Sequence, residues 1–105
     1  MSYDVYLTPT EDSDGEELFW RNYTSNCAPM WRAAGADLAD MDGKPASQCG
    51  SVIGLAVQVM KNEPARFKAM NPPNGWGDYD SCIEFLAAIA DACERDPEAT
   101  VQVSR

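Results

Sequence analysis

The sequence predicts an α+β domain, in which a small antiparallel sheet of two to three strands carries three to four helices on one face. Two observations lead to this prediction. Segments near both ends of the chain alternate apolar and polar residues as strands do, and the stretch between them repeats apolar residues at helical spacing. The predicted order is β-β-α-α-α-β, with room for one more short helix. The chain has 105 residues, which fits a single domain (1–105) with a strand and acidic loop at 1–17 and a main body at 18–105.

The strands are predicted at residues 3–8, 18–26 and 99–104. The first two, YDVYLT and LFWRNYTSN, are rich in the aromatic and β-branched residues that favour strands. Pro9 ends the first strand, and the acidic turn TEDSDGEE then joins the two as a long-looped hairpin. The third strand, ATVQVS, is short and alternating.

The helices are predicted from the 3.6-residue spacing of their apolar side chains. They cover residues 28–39, residues 45–61, a short segment after Pro64, and the stretch from about residue 78 to just before Pro97. The second of them contains Gly50 and Gly54, which cost helix stability, and we expect both glycines to admit a close neighbour.

The helix starts carry recognisable capping residues. Asn26 is the expected N-cap of the first helix. At the start of the last helix, Ser81 and Glu84 have the spacing of a capping box, with Asp78 or Asp80 as alternative caps.

The chain is strongly acidic, with 17 acidic and 8 basic residues and a formal net charge of −9. This sign repels phosphate, so direct nucleic-acid binding is not expected. An acidic surface can instead bind a basic protein or imitate DNA, and it also keeps a small protein in solution.

The sequence offers neither a run of about 18 apolar residues nor a signal peptide, so we expect a cytoplasmic protein without a membrane partner.

The chain contains no histidine, which excludes Ser-His and Cys-His nucleophile systems and histidine metal sites. Cys27, Cys49, Cys82 and Cys93 lack the C-x-x-C spacing of zinc or redox motifs, and we expect buried thiols. Of these, Cys27 lies beside a helix start, where a lowered pKa is expected. No catalytic residue, metal ligand or cofactor is predicted.

The loop NPPNGWGDYDS, residues 71–81, places a tryptophan in the least regular part of the chain. Gly75 and Gly77 can adopt positive φ and wrap the backbone around Trp76. One interpretation makes Trp76 a plug over the helices, where its burial stabilises the fold. The other makes it an exposed platform on which a ligand stacks.

The segment RNYTSN, residues 21–26, gathers hydrogen-bonding side chains where a strand meets a helix. Ordinary capping also explains such residues. If this segment and the tryptophan loop meet, they line one ligand pocket, in which Arg21 pairs with an anion, the amides donate hydrogen bonds and Trp76 stacks. The predicted ligand-binding residues are Arg21, Asn22, Thr24, Asn26, Asn74, Trp76 and Tyr79.

The patterns NYTSN, PMW, NPPNGWGDY and ACERDPEATVQV, in this order, resemble a group of small uncharacterised proteins of actinobacterial phages and their hosts. The likeness covers residues 22–103, and its most specific part is the Asn-Gly-Trp-Gly run. It implies a phage or host-cell setting and no particular chemistry.

These observations favour a non-catalytic phage-type accessory protein that binds a host protein or sequesters a small anionic ligand of the nucleotide type. One alternative is a carboxylate- or metal-dependent hydrolase that uses Asp78, Asp80 and Glu84. Capping explains the same three acids. Another alternative is a structural or assembly component, and a homo-oligomer is compatible with either.

Overall fold

The computed structural model describes residues 2–9 and 17–105, so the predicted acidic turn at residues 10–17 lies almost wholly outside the described residues. The α+β prediction is confirmed. The strands are β1 (Ser2–Thr8), β2 (Phe19–Thr24) and β3 (Thr100–Ser104), and the helices are α1 (Ala28–Ala33), α2 (Ala46–Asn62), α3 (Pro64–Lys68) and α4 (Tyr79–Arg95). Short 3₁₀ helices lie at Ser25–Cys27 and Leu38–Met41.

The strands form one antiparallel sheet in the order β2-β1-β3. Successive side chains of a strand point to opposite faces. In β1 the side chains of Tyr3, Val5 and Leu7 are buried, while those between them are partly exposed. The sheet therefore has an inner face that packs on the helices and a polar outer face.

The outer edge of β3 is already occupied by backbone hydrogen bonds. Gly43 N donates to Val101 O at 2.7 Å, and Val101 N donates to Lys44 O at 2.9 Å. The amide of Val103 donates to the carboxylate of Asp42 at 2.8 Å. The segment before α2 thus seals this side of the sheet.

Helices α2 and α4 pack against each other on the inner face of the sheet. Gly50 makes this approach possible, because a Cβ atom there would lie only 2.8 Å from Cys93 Cβ. The prediction that Gly54 also admits a close neighbour is wrong, because a Cβ atom there would meet nothing within 4 Å. Between the sheet and the helices lies a continuous core, whose largest fully buried side chains include Trp31, Phe67, Leu7, Met30 and Leu38.

Helix α1 is shorter than predicted. It ends at Ala33, because Gly35 takes a positive φ of 106° and turns the chain before the 3₁₀ helix at Leu38–Met41. Leu38 is nevertheless buried in the same core as Ala34. The four-residue spacing of these two side chains therefore comes from packing in one core, although they do not lie in one helix.

Asn26 does not cap α1. Its backbone N–H donates to Thr24 Oγ1 at 3.3 Å, and the residue before α1 is Cys27.

The start of α4 is a capping box formed by Asp78 and Ser81. The Asp78 carboxylate accepts from Ser81 N at 2.8 Å, and Ser81 Oγ accepts from Asp78 N at 3.3 Å. The predicted capping box of Ser81 with Glu84 is therefore wrong, and the alternative cap Asp78 is the one used.

Within the described residues, no helix combines the length and apolar character that a bilayer crossing requires.

Candidate functional site

The loop between α3 and α4 is a tight turn that is held by its own asparagine side chains and shaped by its glycines. Asn74 Oδ1 accepts from Trp76 N at 3.0 Å, and Asn71 Oδ1 accepts from Tyr79 N at 2.8 Å. Gly75 and Gly77 have φ values of +78° and +90°, a region that residues with a Cβ atom rarely adopt. The predicted positive φ at both glycines is confirmed.

Gly77 is the point at which this loop touches the strand-to-helix junction after β2. A Cβ atom at Gly77 would lie 2.7 Å from Cys27 Sγ, 2.7 Å from Thr24 Cγ2 and 3.0 Å from Tyr23 Oη. Only glycine lets the two segments approach this closely. The tryptophan loop and the RNYTSN segment are therefore direct neighbours.

Tyr23 connects the two segments through the hydrogen bonds of its hydroxyl and the stacking of its ring. Its hydroxyl accepts from Asp78 N at 3.3 Å and lies 2.6 Å from Ser81 Oγ and 3.5 Å from Cys27 Sγ. The ring stacks on Phe85 of α4, with centroids 4.9 Å apart. Burial, together with the hydrogen bond to Cys27, raises the pKa of Tyr23 above its usual range, so this hydroxyl stays protonated and available for these bonds.

Trp76 is exposed, with 66% of its surface accessible. The plug interpretation of this residue is therefore wrong, because the glycines on either side carry the indole outward while the backbone docks inward. The tryptophan that fills the core is Trp31, which is fully buried against Tyr3 in an edge-to-face contact.

Beside Trp76 opens a pocket of about 420 Å³, which we call the polar pocket. Its lining combines amides, hydroxyls and one indole. The lining residues are Ser2, Asn22, Thr24, Asn26, Asn74 and Trp76. The structure thus brings the amide, hydroxyl and indole residues of the predicted site together around one opening.

Arg21 and Tyr79 lie elsewhere, which corrects the expectation that they would share this pocket. Arg21 pairs with Val5 across the strands, so it belongs to the inner side of β2. Its guanidinium donates to Trp20 O at 2.8 Å and lies over the ring of Phe19. Tyr79 is a buried residue of α4, and its hydroxyl donates to Met60 O at 2.7 Å.

Sequence reasoning missed the roles of two residues in this region. Ser2 lines the pocket because antiparallel pairing places it opposite Thr24, and the first residue of a strand carries no local signal of its partner. Tyr23 belongs to the RNYTSN segment, but its role in connecting this segment to the tryptophan loop depends on a hydrogen bond to Ser81, which is far away in the sequence.

The polar pocket is neutral to acidic. None of its described lining residues carries a positive charge. Asn22 Nδ2 donates to Asp4 Oδ1 at 2.9 Å, so a carboxylate stands directly behind the lining. The N-terminus of α4, which could attract an anion, is already capped by Asp78. The lining therefore favours a neutral ligand over an anionic one.

Of the remaining candidates for chemistry, Asp78 is a helix cap and the four cysteines are buried. Hydrogen bonds from the backbone and side chain of Ser81 lower the pKa of Asp78, as expected for a capping carboxylate. Within residues 2–9 and 17–105, no three acidic or cysteine side chains are placed to hold a metal ion. All four cysteines are buried free thiols. The expected lowering of the Cys27 pKa is wrong, because burial and the charge of Asp78 raise it.

A larger groove of about 550 Å³ runs between α2 and α4. Small residues such as Gly54 and Ala87 line it, together with charges of both signs, including Lys61 and Glu94. It contains no aromatic side chain and none of the predicted site residues. The polar pocket is the better candidate because its donors and acceptors surround an exposed aromatic ring.

Comparisons with protein-family models, with curated proteins and with solved structures gave no match. The resemblance to actinobacterial phage proteins therefore stays a prediction, and the polar pocket has to be interpreted from its own chemistry.

Proposed function

We propose that the protein is a non-catalytic binding protein that holds a small, neutral, polar ligand in the polar pocket. The observation that supports this most directly is the combination of an exposed indole with amide and hydroxyl groups around one opening. An indole gives a flat apolar contact, and the amides and hydroxyls supply directional hydrogen bonds. This is the usual composition of a small-molecule site.

The absence of a reactive group among the described pocket residues supports a binding role over a catalytic one. The nearest thiol, Cys27, is buried and its pKa is raised, which disfavours the thiolate. The chain has no histidine that could activate the pocket hydroxyls of Ser2 and Thr24.

The sequence predicts an anionic ligand because of Arg21. Since Arg21 does not line the polar pocket, this proposal has a neutral ligand instead. The resemblance to phage and host proteins supplies the setting: an accessory protein of the host cytoplasm that sequesters a small molecule. The setting can be tested separately from the pocket chemistry.

Calorimetric titration with a panel of neutral and anionic small molecules tests the pocket. The panel consists of saccharides, nucleosides, nucleoside monophosphates and free amino acids. We expect saturation by a neutral member, and we expect Trp76→Ala to weaken its binding about tenfold through loss of the stacking contact.

The matched control is Leu55→Ala, which removes a side chain that is 69% exposed on α2, away from the pocket. This variant should bind like the original protein. Equal binding by Trp76→Ala and the original protein, or no saturation by any member of the panel, would overturn the proposal.

A further inference from the structure

The outer face of the sheet carries a second exposed indole that the polar pocket does not use. Trp20 is 48% exposed and lies opposite Tyr6 on β1. The alternation of β2 places Trp20 on the same face as Asn22 and Thr24, which line the pocket. The pocket and the second indole therefore belong to one surface.

Trp20 is held in place by the same carboxylate that orients the pocket. Its Nε1 donates to Asp4 Oδ1 at 3.2 Å, and Asn22 Nδ2 donates to that oxygen at 2.9 Å. Asn22 also donates to Ser2 Oγ at 3.1 Å. Trp20 and the pocket wall thus share one hydrogen-bonded network, and such prior ordering lowers the entropic cost of binding.

The surface between the two indoles is elongated. Trp20 and Thr24 are separated by about 13 Å along β2, at the usual rise of a strand. Trp76 lies at the Thr24 end and Trp20 at the other. We call this surface the two-indole track: Trp76, Thr24, Asn22 and Trp20.

The chemistry of the two-indole track selects among elongated ligands. Asp4 is the one charged side chain among the outward-facing residues of the three described strands, which disfavours phosphate-bearing chains. Those residues are otherwise hydroxyls, amides and aromatic rings, so an apolar peptide side chain finds no aliphatic pocket. The outward-facing residues are Ser2, Asp4, Tyr6, Thr8, Trp20, Asn22, Thr24, Thr100, Gln102 and Ser104.

We propose that the ligand is a neutral linear oligosaccharide that lies along the two-indole track from Trp76 to Trp20. This inference rests on the proposed function, because one end of the track is the polar pocket. A sugar ring presents C–H groups on its faces, which are attracted to the negative face of an indole, and hydroxyls on its rim, which bond to amides. An alternation of indoles with amides and hydroxyls fits that pattern.

A length series of neutral saccharides, from monosaccharide to tetrasaccharide, tests the inference by calorimetry. We expect affinity to rise with length in the original protein. In Trp20→Ala the monosaccharide should bind as before, while the tetrasaccharide loses about tenfold in affinity. Trp20→Phe keeps a ring but removes the bond to Asp4, and it should give an intermediate value. Thermal midpoints of both variants show whether the fold is kept.

The outcomes separate the two proposals. If Trp20→Ala binds the tetrasaccharide as tightly as the original protein does, the track is wrong and the pocket proposal stands. If only nucleosides or amino acids saturate the protein, and Trp76→Ala weakens that binding, the oligosaccharide is wrong and the pocket again stands. If Trp76→Ala changes no binding at all, both proposals fail.

Discussion

At the scale of single residues, Gly77 decides whether the candidate site can form. Its φ is +90°, and a Cβ atom would lie 2.7 Å from both Cys27 Sγ and Thr24 Cγ2. We expect Gly77→Ala to lower the free energy of unfolding by about 2 to 4 kcal/mol, from overpacking and left-handed backbone strain together. Urea denaturation measures this change.

The control for Gly77 is another glycine of the same chain. Gly54 lies inside α2, and a methyl group added there would meet nothing within 4 Å, so Gly54→Ala should raise the unfolding free energy by up to about 1 kcal/mol. A Gly77→Ala protein as stable as the original would show that the loop does not dock on the β2 junction as described.

Individual site residues were predictable where a local rule applied. Trp76 between two glycines, and Asn74 before Gly75, indicate a tight turn from the sequence itself, whereas the outward direction of the indole is known only from its exposure in the structure. Arg21 could also have been placed correctly, because strand alternation puts it on the face of Phe19 and Tyr23 and opposite to Asn22. The burial of Tyr79 was also predictable, because it precedes Cys82 and Leu86 by three and seven residues on the buried stripe of α4, but its bond to the distant Met60 O was not.

At the scale of elements, the start of α4 supports the loop that holds Trp76. We expect Asp78→Ala to cost about 0.5 to 2 kcal/mol, because it removes the acceptor for Ser81 N. Asp80→Ala, in the same first turn, removes an interaction with the helix dipole and should cost less, about 0.3 kcal/mol. Midpoints of urea unfolding compare the two.

The capping effect has a definite pH dependence. The pKa of Asp78 is lowered in the folded protein, so its stabilisation is present at neutral pH and is lost as the pH falls below the ordinary value of 3.8. The difference between the original protein and Asp78→Ala should therefore shrink in acid. A difference that stays constant from about pH 7 down to about pH 2.5 would argue against a capping role of the ionised carboxylate.

The element pattern followed from periodicity, and its errors have physical causes. Apolar spacing predicted α2 and α4 well because each forms an amphipathic helix of 17 residues. It overextended α1, since a core can be filled at helical spacing by a turn and a 3₁₀ helix as well. The backbone of Gly35 ended the helix, and a glycine's φ is not visible in the spacing of its neighbours.

At the scale of the whole molecule, the buried thiols set an alkaline limit on stability. Burial raises the pKa of Cys82 to about 12 and that of Cys93 to about 11, from an ordinary value of 9.0. Above pH 9 the unfolded chain releases these protons and the folded protein keeps them, so stability falls as the pH rises. Each such thiol contributes a slope of about 1.4 kcal/mol per pH unit.

Urea unfolding under reducing conditions, from about pH 7 to about pH 10.5, measures this loss. We expect a plateau up to about pH 8 and a steep decline above about pH 9, with a slope in Cys82→Ala that is smaller by about one proton. A stability that stays level across the whole range would mean that the thiols are accessible to solvent in the folded state.

The sealed side of β3 limits how copies of this protein could join through their sheets. A fibre that grows by strand addition needs an unpaired edge strand at both sides of the sheet in every copy, because each copy must pair with a neighbour on either side. Here the segment around Gly43 and Lys44 occupies the outer edge of β3, so among the residues that the structure describes β2 is the edge at which another strand could be added. Joining of that kind ends with a two-fold pair and cannot propagate, which makes the fold resistant to edge-to-edge polymerisation.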